Sequence, residues 1–227
     1  MTNSEFRNEF DVLYNNIASN QAPGLDDYEK SVFLTQSEEE LIISAYNGKN
    51  AYNDSFERTE EVRRYLDSLI RTAHICPEDK THHRVISKHS QLAYLPDNLW
   101  FITYESAQLP ESTSAPCLSK KELEVVPVTQ DEFNRIKGNP FRGANDNRVL
   151  RLDAGDNLVE LVSNVPIQKY IIRYMAKVKP IILSDLGTGL SINGESQATE
   201  CELNPALHRT ILNRAVQLAV ASFTQKL

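Results

Sequence analysis

Cysteine is scarce in this sequence, and its three residues lie far apart. Cys76, Cys117 and Cys201 are odd in number and include no CxxC pair, which disfavours a secreted disulfide framework or a cysteine-based zinc finger. No apolar run approaches the roughly 20 residues that cross a bilayer. The first residues do not follow the basic-then-apolar order of a signal peptide. We therefore expect reduced thiols, folding in the cytoplasm and no membrane partner.

An excess of positive charge is missing as well. The formal net charge is -7, which argues against nonspecific coating of DNA, because affinity for phosphate backbones comes chiefly from clustered Lys and Arg. The hydrophobic fraction of 41% and the charged fraction of 24% are ordinary for a globular protein. A chain of 227 residues suits one large domain or a domain with a sizeable insertion.

Apolar residues at helical spacing predict a helical N-terminal unit over residues 1–76. Thr35 and Glu38 match a capping box, which would begin a helix at Gln36. Glu38 and its acidic neighbours would then lie near a helix N-terminus, where they suit the helix dipole. The predicted helices cover residues 4–17, a short stretch from Asp26, residues 36–46 and residues 55–72.

Residues 77–200 are predicted to be rich in β-structure, because branched and aromatic residues alternate there with Pro, Gly and Asn turns. A short helix near 130–137 begins at a second capping box, at Thr129. Asp153–Asn157 has the Gly and Asp content of a hairpin loop. The predicted strands cover residues 85–95, 99–104, 123–128, 148–152, 158–162, 167–175 and 181–183.

The last part of the chain, residues 201–227, is predicted to be one long helix. Asn204 caps free N–H groups, and Pro205 is suited to the first helical position. Two adjacent apolar stripes predict packing against more than one neighbour, either the N-terminal helical unit or another molecule. The fold class is therefore α+β, with the helical N-terminal unit and the long C-terminal helix around a mostly antiparallel β-sheet region.

A group of histidines calls for a metal hypothesis, since imidazole and thiolate bind zinc. The spacing is poor, because His83 and His89 would be roughly 20 Å apart on one strand. Ordinary surface histidines explain the pattern better, and we predict no metal and no cofactor. The group comprises His74, Cys76, His82, His83 and His89.

Other chemical motifs are weak. Gly187–Gly194 has neither the Lys of a P-loop nor GxGxxG spacing, so a loop or a tight hairpin around Asn193–Gly194 is expected instead. No GxSxG nucleophile motif occurs, and no residue is predicted to be catalytic.

Several residues are candidates for contacts between subunits or with partners, because Trp, Phe and Arg are enriched at protein interfaces. Trp100 lies in a predicted strand, where core packing is the commoner role of this residue type. Phe141 and Arg142 lie in a predicted loop. The C-terminal helix adds Leu207, Ile211, Leu212, Val216 and Phe223.

Several separate blocks of residues lie in one order along most of the chain. They are Leu13–Leu25, Tyr28–Thr35, Leu95–Ile102, Val126–Phe133, Asn139–Gly143, Ile181–Ser196, Thr199–His208 and Ile211–Ala219. Through these blocks the chain resembles virion proteins of tailed bacteriophages, and it looks most like the neck ring proteins of crAss-like phages.

This resemblance implies a non-enzymatic structural protein that forms a ring between portal and tail, extends the DNA channel and docks the tail. Its partners would be the portal protein, other neck and tail proteins and further copies of itself, in a dodecamer. Genomic DNA would pass without sequence-specific binding, and the ring would be assembled in the host cytoplasm and reside in the virion neck. Two alternatives stay open: a metal-assisted hydrolase using the His74–His89 region, and a tail or baseplate interaction module without ring closure.

Overall fold

The computed structural model describes residues 1–18, 24–48, 56, 59–78, 90–110 and 122–224. Helices and strands both occur within these ranges, so the predicted α+β class is confirmed. The helices are α1 (Asn3–Ala18), α2 (Asp27–Asn47), α3 (Glu60–Tyr65), α4 (Gln130–Ile136) and α5 (Pro205–Thr224). The strands are β1 (Ile70–Ile75), β2 (Ser90–Tyr94), β3 (Leu99–Gln108), β4 (Glu122–Pro127), β5 (Arg148–Gly155), β6 (Leu158–Val162) and β7 (Lys169–Ala176).

The chain divides into two compact units. The helical unit comprises Met1–Leu69 and Val178–Leu227, and the sheet unit comprises Ile70–Lys177. These bounds differ from the three predicted ranges. The sheet already begins at Ile70, and the extended chain from Val178 onward packs with the helices.

Helix α2 is one continuous helix, where the sequence pattern predicted two. It begins at a capping box in which Asp26 Oδ1 accepts from the N–H of Glu29 at 2.7 Å and Glu29 Oε2 accepts from the N–H of Asp26 at 3.1 Å. The box predicted at Thr35 and Glu38 was wrong, because both residues lie in the middle of α2 and their side chains are buried. Gly48 ends α2 in the left-handed conformation, with φ 69°.

Two small hydroxyl groups on α2 hydrogen-bond the backbone of residues 181–183. Thr35 Oγ1 accepts from the N–H of Ile181 at 3.1 Å and donates to the carbonyl of Ile181 at 3.3 Å. One turn earlier, Ser31 Oγ accepts from the N–H of Leu183 at 3.0 Å. The helix therefore supplies the partners that a neighbouring strand would otherwise provide.

The strand predicted at residues 181–183 was consequently wrong. Ile182 forms only an isolated bridge to Thr199, and its carbonyl accepts from the side chain of Asn3 at 3.0 Å. The apolar run was correctly seen as buried and extended. Periodicity alone does not reveal whether its backbone pairs with a strand or with side chains.

Helix α5 begins as predicted, with Asn204 Oδ1 accepting from the N–H of Ala206 at 3.0 Å. Its apolar stripes pack against both α1 and α2, which agrees with their predicted width. Ser37 on α2 adds a hydrogen bond of 2.8 Å to the carbonyl of Ile211.

The helix predicted over residues 55–72 was wrong over most of its length. Helix α3 covers only Glu60–Tyr65, a 3₁₀ turn covers Asp67–Leu69, and β1 follows at once. Strand β1 pairs with β7 in unbroken register from Ile70 opposite Met175 onward. These cross-strand contacts outweigh the helical spacing of the preceding leucines, because local propensity yields to tertiary pairing. Residues 55, 57 and 58 lie outside the described residues.

The sheet unit contains one seven-stranded sheet in the order β1-β7-β3-β4-β5-β6-β2. Among these strands only β4 and β5 pair in parallel, and α4 lies in the crossover between them. The sheet curls until its edges approach: Glu78, just after β1, exchanges hydrogen bonds of 2.8 and 3.0 Å with Leu92 of β2. The predicted strand 85–95 is described only as β2, since residues 85–89 lie outside the described residues.

Two tight turns form where Asn and Gly predicted hairpins. Strands β5 and β6 are joined by Asp156 and Asn157, with φ of 55° and 56°, so the turn is shorter than the predicted loop. Asn193 and Gly194 adopt φ of 50° and 88°. Positive φ at both central residues is typical of turns whose twist matches an antiparallel pair.

A charged pair lies inside the curled sheet. Arg151 Nε is 2.9 Å from Glu105 Oε2, and their side chains are 11% and 8% exposed. The hydroxyl of Tyr170, a fully buried core residue, donates to the same carboxylate at 2.6 Å. Burial raises the pKa of Glu105, while the Tyr170 hydrogen bond and the Arg151 charge oppose that shift.

Replacing Thr35 by valine tests the link between α2 and the extended segment. The substitution leaves the buried N–H and carbonyl of Ile181 without the hydroxyl that pairs both. We expect the free energy of unfolding to fall by about 2 to 4 kcal/mol in urea titration. Thr210→Val, on the exposed face of α5, should change it by no more than about 0.5 kcal/mol. Equal effects of the two substitutions would contradict this account.

Removing one partner of the buried charged pair should destabilise the sheet unit. Arg151→Met leaves the Glu105 carboxyl without its cation, and we expect a loss of about 3 to 5 kcal/mol in the free energy of unfolding. Adding Glu105→Gln should restore much of that loss. Arg64→Met, in an exposed ion pair with Glu60, should cost only about 0.5 kcal/mol. A double variant no better than Arg151→Met would refute this interpretation.

Candidate assembly surfaces

The loop of residues 137–147, here called the Phe141 loop, presents an aromatic side chain on an ordered backbone. Phe141 is 84% exposed. Asn139 Oδ1 accepts from the N–H of Phe141 at 2.8 Å and from that of Arg142 at 3.2 Å. Arg148 Nη1 donates to the carbonyl of Phe141 at 2.9 Å. The backbone is therefore held in place while the ring remains in solvent.

The Phe141 loop requires glycine at position 143, because its backbone folds back closely there. A Cβ atom at Gly143 would lie 2.7 Å from the carbonyl oxygen of Asn139 and 3.0 Å from that of Ile136. Those oxygens belong to the backbone, so a larger residue would force the loop apart. Only glycine fits this close approach.

The loop is also anchored by the helix that precedes it. Helix α4 begins as predicted, with Thr129 Oγ1 accepting from the N–H of Glu132 at 3.2 Å. Phe133 and Ile136 pack on an apolar face of β5 and β6. The Phe141 loop therefore leaves a helix that is itself fixed to the sheet.

Trp100 is half-buried at a bulge in β3. Pairing with β7 passes directly from Leu99 opposite Ala176 to Phe101 opposite Met175, so Trp100 is an extra residue in its strand. The rings of Trp100 and Phe101 stack with centroids 5.2 Å apart. Neighbouring side chains of a regular strand point to opposite faces, so the sequence alternation alone did not reveal this pair.

The structure places the five candidate residues of α5 in two groups. Ile211, Leu212 and Val216 are buried within the helical unit, with at most 1% exposed, so this fold already covers them. Leu207 and Phe223 are half-buried. A contribution of α5 to subunit contacts is therefore proposed only for these two residues.

An apolar groove, here called the helix groove, was missed in the sequence analysis. Its volume is about 290 Å³. The hydroxyl of Tyr14 in this groove is buried and has no hydrogen-bond partner among the described residues. Burial and the nearby Glu29 carboxylate raise the pKa of Tyr14. The groove is lined by Tyr14 of α1, by Leu25, Tyr28, Glu29, Val32 and Phe33 in and just before α2, and by Ala219, Ser222 and Phe223 of α5.

The histidine region is only partly described. His74 is exposed on edge strand β1, and Cys76 is exposed just after it. His82, His83 and His89 lie outside the described residues. Within the described ranges, no three His, Cys, Asp or Glu side chains come together as metal ligands.

Glu38 is a buried acid, and the expectation that it suits a helix N-terminus was wrong. The Cys201 thiol donates to Glu38 Oε1 at 3.2 Å, and Oε2 has no partner among the described residues. Burial raises the pKa of Glu38 to about 8, the charges of Glu202 and Glu39 add to the shift, and the Cys201 hydrogen bond opposes it. The carboxyl is therefore largely protonated at neutral pH.

An exposed aromatic side chain on a hydrogen-bonded loop and an open apolar groove are features of a protein that assembles with others. The described residues contain no helix able to span a membrane.

A family model described as phage tail ring protein 3/4 matches residues 1–227, and the chain belongs to this family. The predicted resemblance to phage ring proteins is confirmed.

Two relatives from Bacteroides phage crAss001 align over nearly the whole chain. Ring protein 3 is 50% identical over 226 residues, which cover 99% of this chain and 97% of the relative. Ring protein 4/5 is 32% identical over 232 residues, which cover 98% of this chain and 94% of the relative. The chain is therefore a structural ring protein of a bacteriophage, which agrees with the non-enzymatic role expected from the sequence.

Substituting Glu38 tests its buried, protonated state. The folded protein holds the Glu38 proton until about pH 8, whereas an exposed glutamate releases it near 4.5. The contribution of Glu38 to wild-type stability should therefore fall as pH rises from 4.5 to 8. Glu38→Gln cannot ionise, so its thermal midpoint should decline less over that range and exceed that of the wild type at pH 8. The exposed Glu200→Gln should follow the wild-type profile. Parallel profiles for all three proteins would contradict a raised pKa.

Proposed function

We propose that this protein forms a ring in the neck of a tailed phage, where it joins the portal to the tail. In this position it extends the DNA channel and provides a surface on which the tail assembles. The observation that carries the proposal is the match along the whole chain. Both the helical unit and the sheet unit fall within the family model and within the alignment to ring protein 3.

Ring closure imposes a physical requirement on each copy. A closed ring of identical subunits needs heterologous contacts, so every copy must present two different complementary surfaces. The Phe141 loop and the helix groove are two such surfaces, one in each unit. Resemblance to adaptors that match the portal favours a dodecamer.

The neighbours of this ring are proposed from its relatives. The chain is similar to both ring protein 3 and ring protein 4/5 of one phage, so related ring proteins occur together there. We expect this ring to contact a homologous ring, other neck and tail proteins, and the portal. Its higher identity to ring protein 3 favours the corresponding position.

The acidic character of the chain suits a DNA channel. With a formal net charge of -7, the protein offers little attraction to phosphate backbones, and repulsion lets DNA slide without sequence-specific binding. Assembly takes place in the host cytoplasm, and the product resides in the virion.

The two alternatives from the sequence have less support. His74 and Cys76 are both exposed and belong to no cluster of metal ligands among the described residues. The family consists of ring proteins, and the described part of the chain gives no support to a metal-assisted hydrolase. An interaction module without ring closure fits a family of ring proteins poorly.

Imaging tests the proposed ring directly. Negative-stain electron microscopy of the purified protein, alone and with portal, should show closed rings, and native mass spectrometry should give a multiple of 25.7 kDa that corresponds to a dodecamer. Reconstruction of phage particles should place these rings at the portal–tail junction. A monomer that stays monomeric with portal at high concentration, and that is absent from particles, would overturn the proposal.

A further inference from the structure

We propose that the ring closes through a knob-and-groove contact between copies. Phe141 of one copy enters the helix groove of the next copy, and Arg142 pairs there with Glu29. This inference rests on the proposed ring, and the occupant of the groove is a second copy of the chain.

The Phe141 loop has the properties of a preorganised anchor. Phe141 is 84% exposed, yet Asn139 and Arg148 hold the backbone on either side of its ring. Gly143 packs so tightly against the loop backbone that no side chain fits there. A loop already held in its bound shape loses little freedom on association. Aromatic side chains that fill a pocket on a partner commonly dominate an interface.

The helix groove has the size and lining that such a ring requires. An apolar cavity of about 150 Å³ accommodates benzene, so the groove of about 290 Å³ has room for a phenyl ring and part of a neighbouring side chain. Tyr28, Phe33 and Phe223 provide aromatic walls.

Charge complementarity favours the orientation in which Arg142 of one copy meets Glu29 of the next. The cation Arg142 directly follows Phe141 and is exposed. Glu29 is the charged residue among the described side chains that line the helix groove. One of its oxygens, Oε2, accepts from the N–H of Asp26 in the capping box, which leaves Oε1 to face an incoming guanidinium. Such rim charges set register and the rate of encounter more than affinity.

The contact joins two different surfaces, and we propose that it is heterologous and not reciprocal. The knob belongs to the sheet unit and the groove to the helical unit, so each copy carries one of each. Repeated from copy to copy, this arrangement builds either a ring or an open filament. Membership of a family of ring proteins selects closure.

Sedimentation velocity of ring-forming protein, alone or on portal, tests the anchor and the charge pair. Phe141→Ala should raise the concentration for half-assembly by at least about tenfold. Leu190→Ala, an exposed apolar residue elsewhere, should change it less than about twofold. Arg142→Glu and Glu29→Lys should each weaken assembly, and the two together should restore it to within about threefold of wild type. Glu29→Gln, which keeps the capping box, should weaken it mildly.

Photo-crosslinking gives a readout that does not depend on how well these variants fold. Benzoylphenylalanine in place of Phe141 should cross-link to peptides containing Phe33 or Phe223, and mixed heavy and light protein should show that the link joins two copies.

Several outcomes would contradict the contact. Cross-links to the portal or to any other site would overturn it. So would equal effects of Phe141→Ala and Leu190→Ala, a reciprocal dimer, or no rescue by the double charge reversal. Intact rings in all variants would refute this contact but leave the proposed function standing, whereas wild-type protein that never forms rings would remove both.

Discussion

The helical unit depends on one arrangement, the pairing of an extended backbone with hydroxyl groups of a helix. Buried N–H and carbonyl groups must find partners, and among the described residues no strand lies beside the chain around Ile181 on the α2 side. Ser31 and Thr35 provide the partners instead. Residues 181–183 lie directly on α2, and Thr199 pairs back with Ile182. The chain then enters α5, which packs beside α2 and α1. The helix groove exists only because these three helices meet.

The sheet unit holds the Phe141 loop in place through its own set of contacts. Its curled core encloses the Arg151–Glu105 pair. Removing these two charges from water is tolerable only when each charge keeps its partner. On another face α4 covers β5 and β6. The parallel β4–β5 pair requires a crossover connection, and the Phe141 loop is the end of that crossover. A rigid platform thus carries an exposed aromatic residue at low entropic cost.

Sequence patterns predicted elements well where the signal was local. Asn204-Pro205 began α5, Thr129 began α4, and Asn193-Gly194 formed a tight turn, since caps and turns depend on atoms a few residues apart. Prediction was wrong at Thr35 and Glu38, whose spacing matches a capping box although their side chains face a buried segment and a distant thiol. Of the contact candidates, Phe141 is exposed, whereas Ile211, Leu212 and Val216 are covered by their own unit. Apolar periodicity shows which side of a helix is buried, but not by what.

By itself the sequence determined the fold class, the family of phage ring proteins and most of the helix starts and turns, because these follow from short-range chemistry and from blocks of residues in one order. Only the tertiary structure decided that residues 181–183 lie on a helix instead of in the sheet, that a bulge brings Trp100 and Phe101 together, and that three helices leave a groove with an unpartnered tyrosine hydroxyl. Those outcomes depend on which of several possible partners satisfies a buried group, and that choice is made among residues far apart in the chain.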